Sequence, residues 1–331
     1  MYTHRFQAYI TKGRFTLPIT ILLSIICWIF NILFIPTLQP ASNDYLLWNL
    51  LYEACIPAWG QYLFSFLLYA LIGYILVELN NIFAIIRMRA SVQTAVFFLL
   101  VSICPALYPL TTGQLNGVIM LCAIYFLFRS YQQSPASANL FYTFFCIGMG
   151  SLLFPKLTLL APLLWIGAYS FQSLHIKSFL ASLIGWGLPY WFLWAHAYFY
   201  GQMDLFYAPF LELIHLQPIE FTFSHQQAAF LTYIFILFIV SASHCIVAGY
   251  EDKIRTRSYL QFLIFFNLCL FVFTILQPNT CIQFLPILLI GVSILAGHFF
   301  TLTNSRSSNC FFIGMLLILG TLFVFNIWTL L

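Results

Sequence analysis

The sequence predicts an all-α fold, a polytopic transmembrane bundle of about 11 helices with the N-terminus in the cytoplasm and the C-terminus outside. Three observations predict it. The 331 residues are 63% hydrophobic and 6% charged, with a mean hydropathy of +0.97, against roughly 25% charged residues in a soluble domain. Apolar runs of the ~17–25 residues that a bilayer crossing needs recur along the chain. The cations fall almost wholly on alternate loops.

Residues 1–15 read as a cytoplasmic leader carrying Arg5, Lys12 and Arg14. The first apolar run, 16–36, is long enough to span and ends without a small-residue cleavage site, so no cleavable signal peptide is expected. The stretch PTLQPASNDYLLWNLLYEACIPAWG follows as an outer loop, about 37–60, containing a short interfacial helix. Helix two, 61–86, delivers Arg87 and Arg89 to the cytoplasm. Helix three, 91–110, is kinked by Pro105 and Pro109, and a tight TTGQ turn leads into helix four, which ends at Arg129. SYQQSPASA has linker composition but is too short to separate domains. Residues 1–331 therefore read as a single integral-membrane domain.

Helices five (139–154) and six (157–172) form a hairpin, GMGSLLFPKLTLLAPLLW, with Pro155-Lys156 at its tip. After Lys177, helix seven (178–200) is Trp-rich and interrupted by Pro189. Residues 201–227 make the longest outer loop. Helix eight (228–250) ends at EDKIRTR, read as a solvated cytoplasmic turn. Helix nine covers 259–276, PNTC turns outside, helix ten ends near Arg306, and helix eleven covers 310–331. No internal repeat is visible, which weighs against a transporter built from duplicated halves.

Counting tests this threading, because Lys and Arg favour cytoplasmic loops. Of the twelve, Arg5, Lys12, Arg14, Arg87, Arg89, Arg129, Lys177, Lys253, Arg255, Arg257 and Arg306 fall inside, and Lys156 alone falls outside. Five acids (Asp44, Glu53, Asp204, Glu212, Glu220) fall outside. The formal charge of +4 is thus spread over many short loops and serves topology, so no nucleic-acid partner is expected. The nine cysteines show no CxxC and no Cys/His cluster in sequence. Buried free thiols are the default, with a Cys55–Cys281 disulfide on the outer side as the other reading.

Lys156 is the first candidate because it breaks the rule that the other cations obey. Its flanking helices, about 16 residues each, are about 24 Å long, against a hydrocarbon core of about 30 Å. A cation held below the surface needs an anion or a polar cavity, and a lipid phosphate or pyrophosphate is a natural partner. The competing reading is a lysine snorkelling to head groups. Asp44 is the candidate general base, a carboxylate at an apolar, water-poor site; as an alternative it caps the helix after Ser42 and Asn43. Glu53 is the reserve base. His196, His215 and His225 lack HExxH or HxH spacing, so no metal site is expected. Glu78, Asn80 and Asn81 lie near the inner end of helix two, and His244 and His298 near inner helix ends.

The stretches CPALYPLTTGQLNGVIMLCAIYFLFRSYQQS, GMGSLLFPKLTLLAPLLWIGAYSF and SFLASLIGWGLPYWFLWAHAYFYGQ resemble a family of multi-spanning inner-membrane proteins of Bacteroidota, a domain of unknown function. That resemblance implies a bacterial inner (cytoplasmic) membrane and no known activity; with the threading above, the outer C-terminus is then periplasmic. The same order of elements is more distantly similar to the glycosyltransferase C superfamily, integral-membrane enzymes that use polyprenyl-linked sugar donors. Their catalytic acid follows helix one in a "DE-x-x-Y-L" type of stretch, which NDYLLWNLLYEA resembles, so the similarity implies a base at Asp44 and a donor-phosphate contact at Lys156. Here Asp44 is followed by Tyr45 where that pattern has a second acid, and no other outer cation accompanies Lys156. The expected function is transfer of a sugar from a polyprenyl-phosphate donor at the periplasmic face, with membrane lipids and the polyprenyl-phosphate lipid as partners. The alternative is a non-catalytic scaffold or accessory subunit with protein partners in an inner-membrane complex.

Overall fold

The computed structural model describes residues 6–34, 47–49, 58–86, 91–214 and 223–328. Among these residues every regular element is helical and no strand occurs. In chain order the helices are α1 (Phe6–Thr11), α2 (Thr16–Phe34), α3 (Ala58–Phe83), α4 (Val92–Ile103), α5 (Thr112–Arg129), α6 (Ser137–Leu153), α7 (Ala161–Ser170), α8 (Ile176–Phe199), α9 (Met203–Ile214), α10 (His225–Val247), α11 (Ile254–Leu276), α12 (Cys281–Leu302) and α13 (Arg306–Trp328). Seven of them, α2, α3, α5, α10, α11, α12 and α13, are long and apolar enough to cross a membrane. The chain is a multi-pass membrane protein.

Most of the eleven predicted helices reappear as helices with their ends shifted by a few residues, but the third, fifth, sixth and seventh are not among the seven long and apolar enough to cross a membrane. Three segments differ in form, each for a local reason. Helix three stops at Ile103 because Pro105 has no N–H to extend it and opens a 3-10 turn, Pro105–Leu107. The predicted sixth helix divides into a 3-10 turn, Pro155–Leu160, and the ten-residue α7. At about 2.0 Å per residue for the turn and 1.5 Å for the helix, the two together reach about 27 Å. The segment 201–227, predicted to be a loop, contains α9, with Asp204 in its first turn, where a carboxylate suits the helix dipole.

The chain packs into two compact units. The first comprises Met1–Gln39, Tyr69–Pro109 and Glu220–Leu331. Its centre is α12, a helix apolar on all sides and 94% buried across its span, whereas α2 and α13 are 17% buried and present their apolar surface outward. Close packing on α12 depends on glycine. A Cβ on Gly297 would stand 2.9 Å from the Gln93 backbone, and one on Gly291 would overlap the Asn267 side chain. The short helix α1, expected only as a charged leader, is tied to this unit by Gln7. Its amide donates to Phe300 O (2.8 Å) and Thr303 Oγ1 (3.1 Å), and its Oε1 accepts from Ser308 Oγ (2.8 Å).

The second unit comprises Pro40–Leu68 and Leu110–Ile219. The TTGQ turn opens α5 as a capping box: Thr111 Oγ1 accepts from Gly113 N–H, and Gln114 Oε1 accepts from Thr111 N–H at 2.8 Å. Helices α6 and α8 approach backbone to backbone. A Cβ on Gly148 would lie 2.6 Å from Trp186 O, and one on Gly185 would lie 2.4 Å from Phe141 O. Small residues at such a crossing are the usual device for close helix packing in membranes.

Candidate functional site

The site grows from the end of α6. Phe154 N–H still bonds back to Gly150 O, but Pro155 ends the α-helix and starts the 3-10 turn that carries Lys156, Leu157 and Thr158. Leu157 seats against Gly150, where any Cβ would stand 2.4 Å from its Cδ2. That packing fixes the turn, and Lys156 next to it is covered, with 4% of its surface exposed.

Helix α8 supplies the wall. Tyr190 donates to Ser151 Oγ at 2.8 Å, Ser151 donates to Gly148 O at 2.8 Å, and the Thr158 hydroxyl lies beside the Tyr190 phenol. The chain then reverses. Gly201, at φ +65°, adopts the left-handed conformation that closes α8, with Gly201 N–H bonding Tyr198 O and Gln202 N–H bonding Ala197 O. The reversal folds α9 back against the Pro155–Leu160 turn. Phe210 packs its ring 5.2 Å from that of Tyr190, and Glu212 acts on the Lys156 charge.

Lys156 lies in the turn, outside both flanking helices, and its side chain is covered. Burial lowers its pKa below the ordinary 10.5, and the Glu212 carboxylate opposes that shift. The lysine therefore does not snorkel outward; it is enclosed and compensated. The opposing charge is that of Glu212, which the sequence offered only as one of five outer acids. The signal was its lone charge within the apolar FLELI run on the same side as Lys156.

Buried polar groups gather at the same depth. Ile119 on α5 packs against Gly150 on the antiparallel α6. Asn116, one turn earlier on α5, stands level with the end of α6, and Thr112 stands level with the turn. Both side chains are fully buried and have no hydrogen-bond partner among the described residues. Such groups call for water or a ligand rather than for apolar contact.

Asp44 and Glu53 lie outside the described residues, so the distance from Lys156 to either carboxylate is not part of the described geometry. Cys55 and His215 also lie outside them, while Cys281 is buried. The His196 and Tyr200 rings are tilted by 43° with their centroids 4.6 Å apart, and His225 is the first residue of α10. Glu78 is exposed and accepts from Asn81 Nδ2 at 3.4 Å, while Asn80 Oδ1 accepts from Ile86 N–H at 2.8 Å. These polar groups close the end of α3. EDKIRTR is not a wholly solvated turn: Asp252 is buried beside His298, and Arg255 lies over the rings of Phe83 and Tyr259.

No family model matches the chain, nor does any curated protein or solved structure.

Proposed function

We propose that the protein is a glycosyltransferase C-like membrane enzyme that binds a polyprenyl-phosphate-linked sugar at the outer end of the α5–α8 cluster. The observation that carries the reading is Lys156, enclosed in the turn after α6 while Thr112 and Asn116 present buried, unmatched polar groups at its depth. An ammonium in a low-dielectric site attracts a phosphate far more strongly than one in water, and neutral amide and hydroxyl groups suit a sugar. In the proposed reaction Asp44, with Glu53 in reserve, removes the proton from an acceptor hydroxyl. The acceptor oxygen bonds to the anomeric carbon, and the bond from that carbon to the phosphate oxygen breaks. The electron pair leaves with polyprenyl phosphate, whose added charge Lys156 stabilises. The setting in this reading is a bacterial inner membrane with the site on the periplasmic side.

One observation favours a second reading, a non-catalytic subunit of a membrane complex. The charge of Lys156 is already opposed by an anion of its own chain, Glu212, on the helix α9 that packs against its turn, which suits a purely structural role. Transfer of labelled sugar from a polyprenyl-phosphate donor separates the two. The enzyme reading expects Asp44→Asn to lower transfer by about 100-fold or more, with Glu212→Gln retaining measurable transfer. A protein that gives no product with any such donor, while retaining stoichiometric partners through purification, supports the subunit reading.

A further inference from the structure

His244 and Cys245 are adjacent near the end of α10, and His298 lies 53 residues after Cys245 on α12. The two helices pack together within the first unit, which brings three donors into one place that no linear motif announces. One ligand atom from each of His244, Cys245 and His298 lies within 4.8 Å of the others. Cys245 and His298 are buried, and His244 Nδ1 is buried with no hydrogen-bond partner among the described residues.

Each nitrogen of His298 has a polar atom close by. Its Nε2 is 3.2 Å from Asp252 Oδ2, and its Nδ1 is 3.5 Å from Cys245 Sγ. A carboxylate beside Nε2 favours the proton there and leaves the Nδ1 lone pair facing the sulfur, the arrangement in which a carboxylate orients a metal-bound histidine. The distance agrees. A sulfur at about 2.3 Å and a nitrogen at about 2.05 Å from one tetrahedral zinc ion are about 3.6 Å apart. A thiol–imidazole hydrogen bond has a similar length, so the third donor matters, and a modest side-chain rotation brings all three within reach of one ion.

We propose that His244, Cys245 and His298 bind Zn2+, with Asp252 as the residue that positions His298. One thiolate and two imidazoles suit zinc and do not suit Mg2+ or Ca2+, which take oxygen ligands. Binding forms the S–Zn bond as the Cys245 thiol loses its proton to solvent, so each ion bound releases one proton from this group. Three protein ligands leave a fourth position open, and the ion ties the end of α10 to α12.

The test uses the full-length protein in detergent, treated with chelator and then titrated with Co2+ alone. The expected result is a thiolate-to-cobalt charge-transfer band that saturates stoichiometrically and that Zn2+ abolishes. The band should disappear in Cys245→Ser and persist in Cys310→Ser, which changes an exposed thiol. Asp252→Asn should retain the band but weaken Co2+ affinity roughly 10- to 100-fold. The proposal is overturned if the folded wild type gives no such band, if the band survives Cys245→Ser, or if only Cu+ binds. Because the wild-type titration is decisive alone, a variant that fails to fold does not rescue the idea.

Discussion

Glu212 on α9 lies near enough to Lys156 for its negative charge to favour the lysine's protonated form, and α9 packs against the turn after α6 that carries Lys156. Removing the carboxylate takes away a charge that favours the covered ammonium. Glu212→Gln should therefore lower stability by about 2 kcal/mol, less than for a fully buried pair because the glutamate is half-buried. The double change Lys156→Met/Glu212→Leu should regain most of that loss, since apolar replacement of an ion pair is often neutral. Unfolding of the three variants in one detergent, followed by circular dichroism, measures both numbers.

The α6–α8 crossing makes a sharper stability prediction. Gly148 and Gly185 each face a carbonyl oxygen of the opposite helix, so neither contact yields by moving a side chain. Gly148→Ala and Gly185→Ala should each cost about 1–3 kcal/mol by forcing the helices apart. Gly187, on the same helix with nothing within 4 Å of its Cβ direction, is the control, and Gly187→Ala should stay within about 0.5 kcal/mol. Thermal melts of the three variants check the ranking.

Gln7 offers the same kind of test in the first unit. Its side chain satisfies Phe300 O, Thr303 Oγ1 and Ser308 Oγ together, and it is 1% exposed. Gln7→Ala should cost about 1–3 kcal/mol through the groups left unmet, and hydrogen exchange should rise along α1 before it rises in α12. Equal exchange in both helices would mean that α1 is not docked through Gln7.

Much of the helix pattern was legible because hydrophobic length acts on each segment separately. The ends of α2, α5 and α8 fall within a few residues of the apolar runs that foretold them. The division of the sixth predicted helix was harder to see, since PKLTLLAPLLW is apolar throughout and only Pro155 and Pro162 mark the change of helix type. At the site, Lys156 was visible as a rule-breaking charge. Its burial and its partner depend on the reversal at Gly201, a tertiary event that composition does not encode. The His244–Cys245–His298 grouping lay hidden for the same reason: its donors come from two helices, and spacing along one segment carries no trace of them.

The Lys156 charge should also govern pH dependence. Burial lowers its pKa below 10.5, while the unfolded lysine keeps its proton up to about pH 10.4. Between the lowered value and that limit the unfolded chain binds more protons, so stability should rise with pH across the window. Phosphate affinity should move the opposite way, because the protonated amine is the form that grips the anion, and a phosphate monoester holds its charge above about pH 7. Titrating polyprenyl-phosphate binding from about pH 7 to about pH 10 should show affinity falling in the wild type and flat in Lys156→Gln.

The most direct test of the central claim is the affinity of the protein, in zwitterionic nanodiscs, for polyprenyl phosphate against the uncharged polyprenol, measured for wild type and Lys156→Gln. A phosphate grip by Lys156 predicts that the wild type prefers the phosphate by about tenfold or more, near 1.4 kcal/mol or above, and that Lys156→Gln loses the preference while still binding polyprenol. Equal affinity for the two lipids in the wild type, or a preference that survives Lys156→Gln, would contradict it and leave the Lys156–Glu212 pair as a structural clamp.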